Sequence, residues 1–114
     1  MEITFKNQNL KKECHNLQLL QKVHGERQAR LIIGCLTALR AAANLGDFWP
    51  PYERFGRCHQ LTNNRSGQFS MDLVHPYRLI FKPDHNPIPQ RSEGGIDWHQ
   101  VTVITIIGVE NTHE

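Results

Sequence analysis

The apolar residues in the first half of the chain recur at helical spacing. Two runs are separated by Gly25: Leu10, Cys14, Leu17 and Leu20 or Val23 in the first, and Leu31, Ile32, Cys35, Leu36 and Leu39 in the second. Such a repeat places the side chains on one face of an α-helix. Asn7 or Asn9 can cap the first helix, and Gly25 is placed to end it. The pattern predicts an antiparallel helical hairpin whose second helix ends near residues 44–46.

From residue 57 onward the apolar period changes to two, which is typical of strands. Segments 57–62, 67–74 and 77–82 predict a meander, with "TNNRSG" as its first turn and "HP" as its second. Two further strands are predicted outside the meander. Residues 2–6, "EITFK", alternate, whereas residues 101–109, "VTVITIIGV", are apolar on both faces, which favours a place in the middle of the sheet.

The alternation in the meander predicts a sheet with one covered face. Two strands carry the pattern: Phe69, Met71 and Leu73 alternate with Gln68, Ser70 and Asp72, and Tyr77, Leu79 and Phe81 alternate with Arg78, Ile80 and Lys82. The helical hairpin is the available cover, so Arg78 is expected to point away from the core. The predicted fold class is α+β, with an N-terminal strand and a two-helix hairpin packed on a mainly antiparallel sheet of four to five strands.

Two segments rich in proline and glycine interrupt these elements. Residues 46–56, "GDFWPPYERFG", predict an irregular connection with aromatic side chains packed at its ends. Residues 83–98 are too long for a tight turn and predict a surface loop whose return is anchored by Trp98. At 114 residues, the whole chain (1–114) is expected to form one domain.

The composition describes an ordinary globular protein, with 39% hydrophobic residues and no apolar run long enough to span a bilayer. The N-terminal residues turn polar at once and resemble no secretory signal, so we expect a cytoplasmic protein. The formal charge is only +2, so any contact with nucleic acid must be local. The three cysteines, Cys14, Cys35 and Cys58, form no C-x-x-C pair and are expected to be reduced thiols.

Several residues near the first turn of the meander are candidates for chemistry. His59 lies on a predicted strand and shares a face with Arg57, whereas Arg65 lies in the turn and Arg78 on a later strand. Taken singly, each has a simpler structural explanation as a hydrogen-bonded or solvated residue, and so has His113. No histidines stand at i, i+3 or i, i+4, so a zinc site is not expected.

The order of these motifs resembles the RelE/ParE toxin superfamily, and HigB-type killer proteins in particular. The motifs are "RCHQL", "NNRSGQF", "HPYRLIF" and "VENTH", together with the pieces "PDHNPIP" and "GGIDW", and they span nearly the full length of the chain. In HigB-type proteins a histidine precedes a G-D-R-x-G turn, a W/Y-R-L-I-F strand follows, and the chain ends like E-D-Y-H.

The resemblance implies the toxin of a type II toxin–antitoxin pair, which enters the ribosomal A site and cuts mRNA through the RNA's own 2′-hydroxyl, without metal or cofactor. By the same resemblance, His59, Arg78 and His113 would be catalytic: two proton-transfer groups and a phosphate-binding guanidinium. Arg65, Arg57 and Lys82 would contact RNA or phosphate. The implied partners are the ribosome and mRNA, and an antitoxin of the helix-turn-helix HigA type, through which alone the toxin reaches operator DNA.

The sequence departs from the family pattern at its end, where Asn111 and Thr112 replace the aspartate and tyrosine before the terminal histidine. A lost base-stacking ring would cost about 1–3 kcal/mol, and a lost proton-transfer group about 10²–10⁴ in rate. Two alternatives therefore stay open. The chain could be a weakened toxin-like module that binds its antitoxin and contributes to operon autoregulation, or a ParE-like inhibitor of DNA gyrase.

The basic residues of the helical segment allow two interpretations. Lys11, Lys12, Lys22, Arg27 and Arg30 can form a solvated outer face, or they can meet ribosomal RNA phosphates. The second interpretation predicts that binding weakens steeply with added salt.

Overall fold

The computed structural model describes residues 1–51 and 53–111, in which three α-helices and five strands form a mixed α+β fold. The elements are β1 (Glu2–Phe5), α1 (Gln8–Cys14), α2 (Leu17–His24), α3 (Glu26–Ala41), β2 (His59–Gln60), β3 (Phe69–Asp72), β4 (Tyr77–Pro83) and β5 (Val103–Asn111). The sheet has the order β1-β5-β4-β3-β2. Only β1 and β5 are parallel, so the predicted fold class, with a mainly antiparallel sheet, is confirmed.

The prediction of one continuous first helix is wrong, because the chain breaks it at His15 and Asn16 into α1 and α2. Asn16 has an extended backbone, and its side chain accepts a hydrogen bond from the Leu19 N–H at 3.1 Å. The asparagine thus starts a new helix where the apolar spacing alone would continue the old one. At the start of α1 the cap is Asn7, which accepts from Leu10 N–H at 2.8 Å.

The helical layer is completed by α3, which follows α2 after a single residue. Gly25, between them, has a φ of +86°, a conformation that a residue with a Cβ rarely adopts, so its predicted place at a helix end is confirmed. Four of the five residues of the predicted α3 stripe, Ile32, Cys35, Leu36 and Leu39, are buried, whereas Leu31 is partly exposed. The helix ends at Ala41, earlier than the predicted residues 44–46, and a 3-10 turn (Leu45–Phe48) follows.

The meander has shorter strands than the alternation predicts. The first of them, expected at 57–62, is the two-residue β2, because Arg57 and Asn63 on either side have left-handed φ values of +50° and +58°. The strand expected at 67–74 is confined to Phe69–Asp72, since Gly67 also has a positive φ. The strand expected at 77–82 matches β4, and β5 lies between β1 and β4 in the interior of the sheet, as predicted.

The hydrophobic core lies between the helices and one face of the sheet, called here the inner face. Its sheet side consists of Phe69, Met71, Leu79, Phe81, Ile104 and Ile106, packed in one cluster with Leu20, Ile32, Leu36 and Leu39 of the helices. Phe69 and Phe81 stack with ring centroids 5.6 Å apart. Since neighbouring strand residues point to opposite faces, the alternate residues lie on the outer face, away from this core.

Two features shape the edges of this arrangement. Along β4 and β5, Ile80 pairs with Gly108 and Phe81 with Ile106, so Ile107 forms a β-bulge between them. The loop after β4 is irregular except for a bridge between Gln90 and Ile96. Its return is anchored as predicted by Trp98, which is buried edge-on against Phe69. Within the described part of the chain, no helix has the length and hydropathy needed to cross a bilayer.

Candidate active site on the outer face of the sheet

Two rows of cross-strand pairs build the candidate site. In one row His59 pairs with Ser70, Ser70 with Ile80, and Ile80 with Gly108; in the other Asp72 pairs with Arg78, and Arg78 with Glu110. Residues that pair directly across antiparallel strands point to the same face. His59 and Arg78, which lie on strands that do not touch, are therefore brought to the same outer face of the sheet.

Hydrogen bonds at both ring nitrogens hold His59 in one orientation. Its Nδ1 lies 3.0 Å from the carbonyl oxygen of Arg57, and its Nε2 lies 3.2 Å from the Ser70 hydroxyl. Because a carbonyl oxygen can only accept, the contact assigns a proton to Nδ1, and Nε2 is the nitrogen that faces the Ser70 hydroxyl. The histidine is only 8% exposed, so its orientation is fixed by packing as well as by hydrogen bonds.

Two carboxylates organise the arginines of the outer face. Asp72 is shared by Arg57, at 3.2 Å, and by the Nε of Arg78, at 3.6 Å. Glu110 accepts a hydrogen bond from Arg65 at 2.5 Å, and Arg65 also donates to the Gln68 side chain at 3.1 Å. Ion pairs as exposed as these contribute about 0–1 kcal/mol to stability, so their main physical effect is to hold the guanidinium groups in place.

The structure places most of the residues singled out in the sequence on the outer face of the sheet. His59 and Arg78 lie on strands of the outer face, and the ion pairs join Arg57 and Arg65 to it through Asp72 and Glu110. Lys82 is exposed on the same face, two positions beyond Ile80 toward the other end of β4. Its strand pair is Thr105, whose hydroxyl lies 2.7 Å from that of Thr4. His113 lies outside the described residues.

Three residues of this cluster were not singled out as site residues from the sequence: Ser70, Asp72 and Glu110. The period of β3 does place Ser70 and Asp72 opposite the core, which was a usable signal. Their partners, however, depend on the register between strands, which a single sequence does not contain. Glu110 reaches Arg65 across 45 residues of chain for the same reason.

The cysteines have no part in the candidate site. Burial raises the pKa of the Cys14 thiol to about 11 and that of Cys35 to about 12, and burial also raises the pKa of Cys58. These thiols therefore stay protonated near neutral pH and act as small apolar side chains. Among residues 1–51 and 53–111, no three histidine, cysteine or acidic side chains are grouped so that they could hold a metal ion.

Comparison with known proteins identifies solved structures that share the fold of this chain. No protein-family model matches the chain. No curated protein sequence matches it either. Among solved structures, the YoeB dimer from Staphylococcus aureus is similar, with a TM-score of 0.55 at 17% identity, covering 99% of this chain and 98% of that one.

Two further structures show the same likeness. The YoeB/ParE toxin from Agrobacterium tumefaciens has a TM-score of 0.56 at 9% identity, covering 99% of this chain and 100% of that one. The YoeB–YefM complex from Staphylococcus aureus has a TM-score of 0.54 at 18% identity, covering 99% of this chain and 98% of that one. The chain therefore has the fold of YoeB- and RelE-like toxins, while identities this low establish the fold alone.

Proposed function

We propose that the chain is the toxin of a type II toxin–antitoxin system, of the HigB type within the RelE/ParE superfamily, and that it cleaves mRNA on the ribosome. The observation that carries the proposal is the meeting of His59, Arg57, Arg65 and Arg78 on the outer face of a sheet with a toxin fold. An imidazole that exchanges protons beside several guanidinium groups suits the breaking of a phosphodiester.

The proposed reaction uses the 2′-hydroxyl of the RNA as nucleophile. The 2′-oxygen loses its proton and attacks the neighbouring phosphorus, and the bond to the 5′-oxygen breaks as that oxygen gains a proton. The products are a 2′,3′-cyclic phosphate and a 5′-hydroxyl. His59 supplies one proton transfer as general acid or base, and His113 supplies the other.

Arg78 would hold the scissile phosphate in this reaction. A planar guanidinium can donate to two phosphate oxygens at once, and negative charge grows on those oxygens as the 2′-oxygen attacks. Arg65, Arg57 and Lys82 would bind the flanking RNA backbone. Asp72 and Glu110, which pair with the arginines, would set where each guanidinium stands before RNA arrives.

The partners follow from the same proposal. Ribosome and mRNA would occupy the outer face, and an antitoxin of the helix-turn-helix HigA type would neutralise the toxin and bind operator DNA. One structural neighbour was solved as a YoeB–YefM toxin–antitoxin complex, which supports an antitoxin partner. The proposed place of action is the cytoplasm, where translation occurs.

One observation favours a second candidate function. Asn111 ends β5 opposite Tyr77, and it stands where HigB-type proteins have an aspartate. A chain without that carboxylate would retain antitoxin binding while cutting mRNA weakly. Its role would then be that of a repression module, which binds its antitoxin and contributes to repression of their operon. Gyrase inhibition, suggested by the ParE-type neighbour, is tested by a supercoiling assay.

The decisive experiment is cleavage by purified protein on translating ribosomes, with primer extension to locate the cuts. His59→Ala and His113→Ala should each lower the cleavage rate by about 10²–10⁴. His99→Ala is the matched control, because that histidine lies 67% exposed in the loop that anchors on Trp98. Undiminished cutting by both site variants would overturn the proposal, and antitoxin binding without cutting by the wild type would favour the repression module.

A further inference from the structure

The turn between β2 and β3 leaves the sheet at one end of the outer face. A backbone hydrogen bond of 2.8 Å joins the Leu61 N–H to the carbonyl oxygen of Gln68. Extending the register of β3 and β4 by one residue places Gln68 level with Lys82. Residues 62–67, called here the lid, therefore leave and rejoin the sheet at the Lys82 end of β4.

The side chain of Arg65 shows where the lid goes from there. Arg65 contacts Glu110, which pairs with Arg78 at the opposite end of β4. Four residues of strand separate Lys82 from Arg78, roughly 13 Å at about 3.3 Å per residue, which is farther than an arginine side chain reaches. The lid must therefore fold back over the outer face, above the row of strand pairs that lies between them.

That middle row is buried, although it faces away from the core. Ser70 and Ile80 are fully buried, and Leu61, where the lid begins, is buried as well. Among the described residues, Leu61 and Ile80 are the buried apolar side chains that do not belong to the core cluster. His59 pairs with Ser70 in this row and is buried too. The proposed catalytic histidine therefore lies in a covered part of the outer face.

The contact that holds the lid is more exposed than the histidine. The side chains of Arg65 and Glu110 are each 32% exposed. An ion pair this exposed is weak, so another anion can take the place of the carboxylate. Phosphate is such an anion, because a guanidinium binds phosphate and carboxylate with the same bidentate geometry. Glu110 would keep a cation nearby after the exchange, since Arg78 lies directly opposite it on β4.

The lid can move as one piece, because its own hydrogen bonds hold its shape. The Arg65 N–H donates to the Thr62 carbonyl at 3.1 Å, and the Ser66 N–H donates to the Asn63 carbonyl at 3.1 Å. Left-handed φ values, +58° at Asn63 and +91° at Gly67, stand near its two ends. Glycine adopts positive and negative φ with similar ease, so Gly67 can absorb the rotation of an opening lid.

We propose that residues 62–67 close over His59 in the free protein, that the ion pair of Arg65 and Glu110 holds them there, and that an RNA phosphate opens the lid by replacing Glu110 on Arg65. In the closed state the His59 Nε2 faces the Ser70 hydroxyl under the lid, and RNA reaches it only after opening. The inference rests on the proposed function, because it names the substrate of that function as the group that opens the lid.

The accessibility of His59 tests the lid without any cleavage. Diethyl pyrocarbonate modifies accessible imidazoles, and peptide mass spectrometry gives the rate at each histidine. In the wild type, His59 should react far more slowly than His99, whose side chain is 67% exposed. Glu110→Gln and Arg65→Ala each weaken the ion pair and should raise the His59 rate about 2- to 5-fold. Glu26→Gln, in an exposed ion pair on α3, is the matched control and should leave the rate unchanged.

Cleavage on translating ribosomes tests what opens the lid. Glu110→Gln should raise kcat/KM about 2- to 5-fold through a lower KM, because a larger share of the molecules is open before RNA arrives. Arg65→Ala should open the lid as well but cut less efficiently than the wild type, since the guanidinium that receives the phosphate is gone.

The outcomes separate the inference from the proposed function. If His59 reacts as fast as His99 in the wild type, or equally fast in the wild type and both ion-pair variants, the inference fails and the function stands. If neither variant folds, the ion pair is required by the fold and the inference fails too; if one folds, it gives the reading alone. A wild type that does not cut mRNA would remove the proposed function, and the labelling would still decide whether the lid closes.

Discussion

The two faces of the sheet differ in the interactions that their side chains make. On the inner face, Phe69, Met71, Leu79 and Phe81 are fully buried against the helices, and burying each such side chain stabilises the fold by about 1.5–3 kcal/mol. On the outer face, partly exposed arginines pair with Asp72 and Glu110, in contacts worth about 0–1 kcal/mol each. The inner face therefore supplies most of the apolar burial. On the outer face Ser70 and Ile80 are also fully buried, so the part of it that solvent reaches is the arginine cluster around Asp72 and Glu110.

The two faces also differ in what is needed to position their residues, because one depends on the pattern along a single strand and the other on the pairing between strands. An inner-face residue needs only the right period along its own strand to reach the core. An outer-face cluster such as Arg78, Asp72 and Arg57 needs correct register between strands as well. Substitutions on the two faces should accordingly affect different measurements.

The largest expected effect is on the inner face. Phe69→Ala removes a fully buried ring that stacks on Phe81, and it should lower the free energy of unfolding by about 3–5 kcal/mol, measured by urea titration. Ser70→Ala, the next residue on β3, removes only a hydroxyl that contacts His59 and should cost about 0.5–1.5 kcal/mol. Equal losses at the two positions would contradict the contrast between the faces.

The next effect should appear in activity and leave stability nearly unchanged. Arg78→Lys keeps the charge and loses the planar fork, so mRNA cleavage should fall about 10- to 100-fold while the free energy of unfolding changes by less than about 1 kcal/mol. Arg40→Lys, on an exposed residue near the end of α3, is the matched control and should cut normally. A loss of stability as large as the loss of activity would place Arg78 with the core residues.

A pH titration tests how strongly burial in the core opposes ionisation of the Cys35 thiol. Burial raises the pKa of Cys35 from 9.0 to about 12, so above pH 9.0 the folded thiol keeps a proton that the unfolded thiol has lost. Stability should therefore fall as pH rises, by up to about 1.4 kcal/mol per pH unit for this group. Urea titrations of wild type and Cys35→Ala from pH 8 to about 11 should show a shallower decline in the variant. Parallel curves would show that the thiol does not contribute.

The smallest expected effect is the outer-face ion pair between Arg65 and Glu110. A double-mutant cycle with Arg65→Ala and Glu110→Ala should give a coupling of about 0.2–1 kcal/mol in unfolding, smaller in high salt. Arg65→Ala should lower the rate of mRNA cleavage more strongly than it lowers the free energy of unfolding. A coupling as large as the loss in Phe69→Ala would mean that the outer face helps to hold the fold together.

The sequence was sufficient for features that follow from the period of one element. The stripe of α3, the central place of β5, Gly25 at a helix end and the outward direction of Arg78 were all predicted from local spacing. These features need no knowledge of distant partners, because burial of one face is decided by the residues of that element.

Other features depend on competition or on register and were not predicted. Asn16 ends one helix and caps the next because its side chain competes with the backbone hydrogen bonds of a continuous helix. Arg57 was expected on a strand, but its left-handed φ places it before β2, with its guanidinium on Asp72. The roles of His59, Arg78 and the other basic residues stay predictions that the proposed experiments test, as does that of His113.

The parallel pairing of β1 with β5 has a consequence for the order in which the sheet forms. Thr4 of β1 pairs with Thr105 of β5, 101 positions further along the chain, and the two hydroxyls contact each other. Contacts so distant in sequence form late, because a long loop must close before they form. Glu110, which holds Arg65, lies on that same strand β5, so the ion pair that positions Arg65 is expected among the last features of the sheet to be assembled.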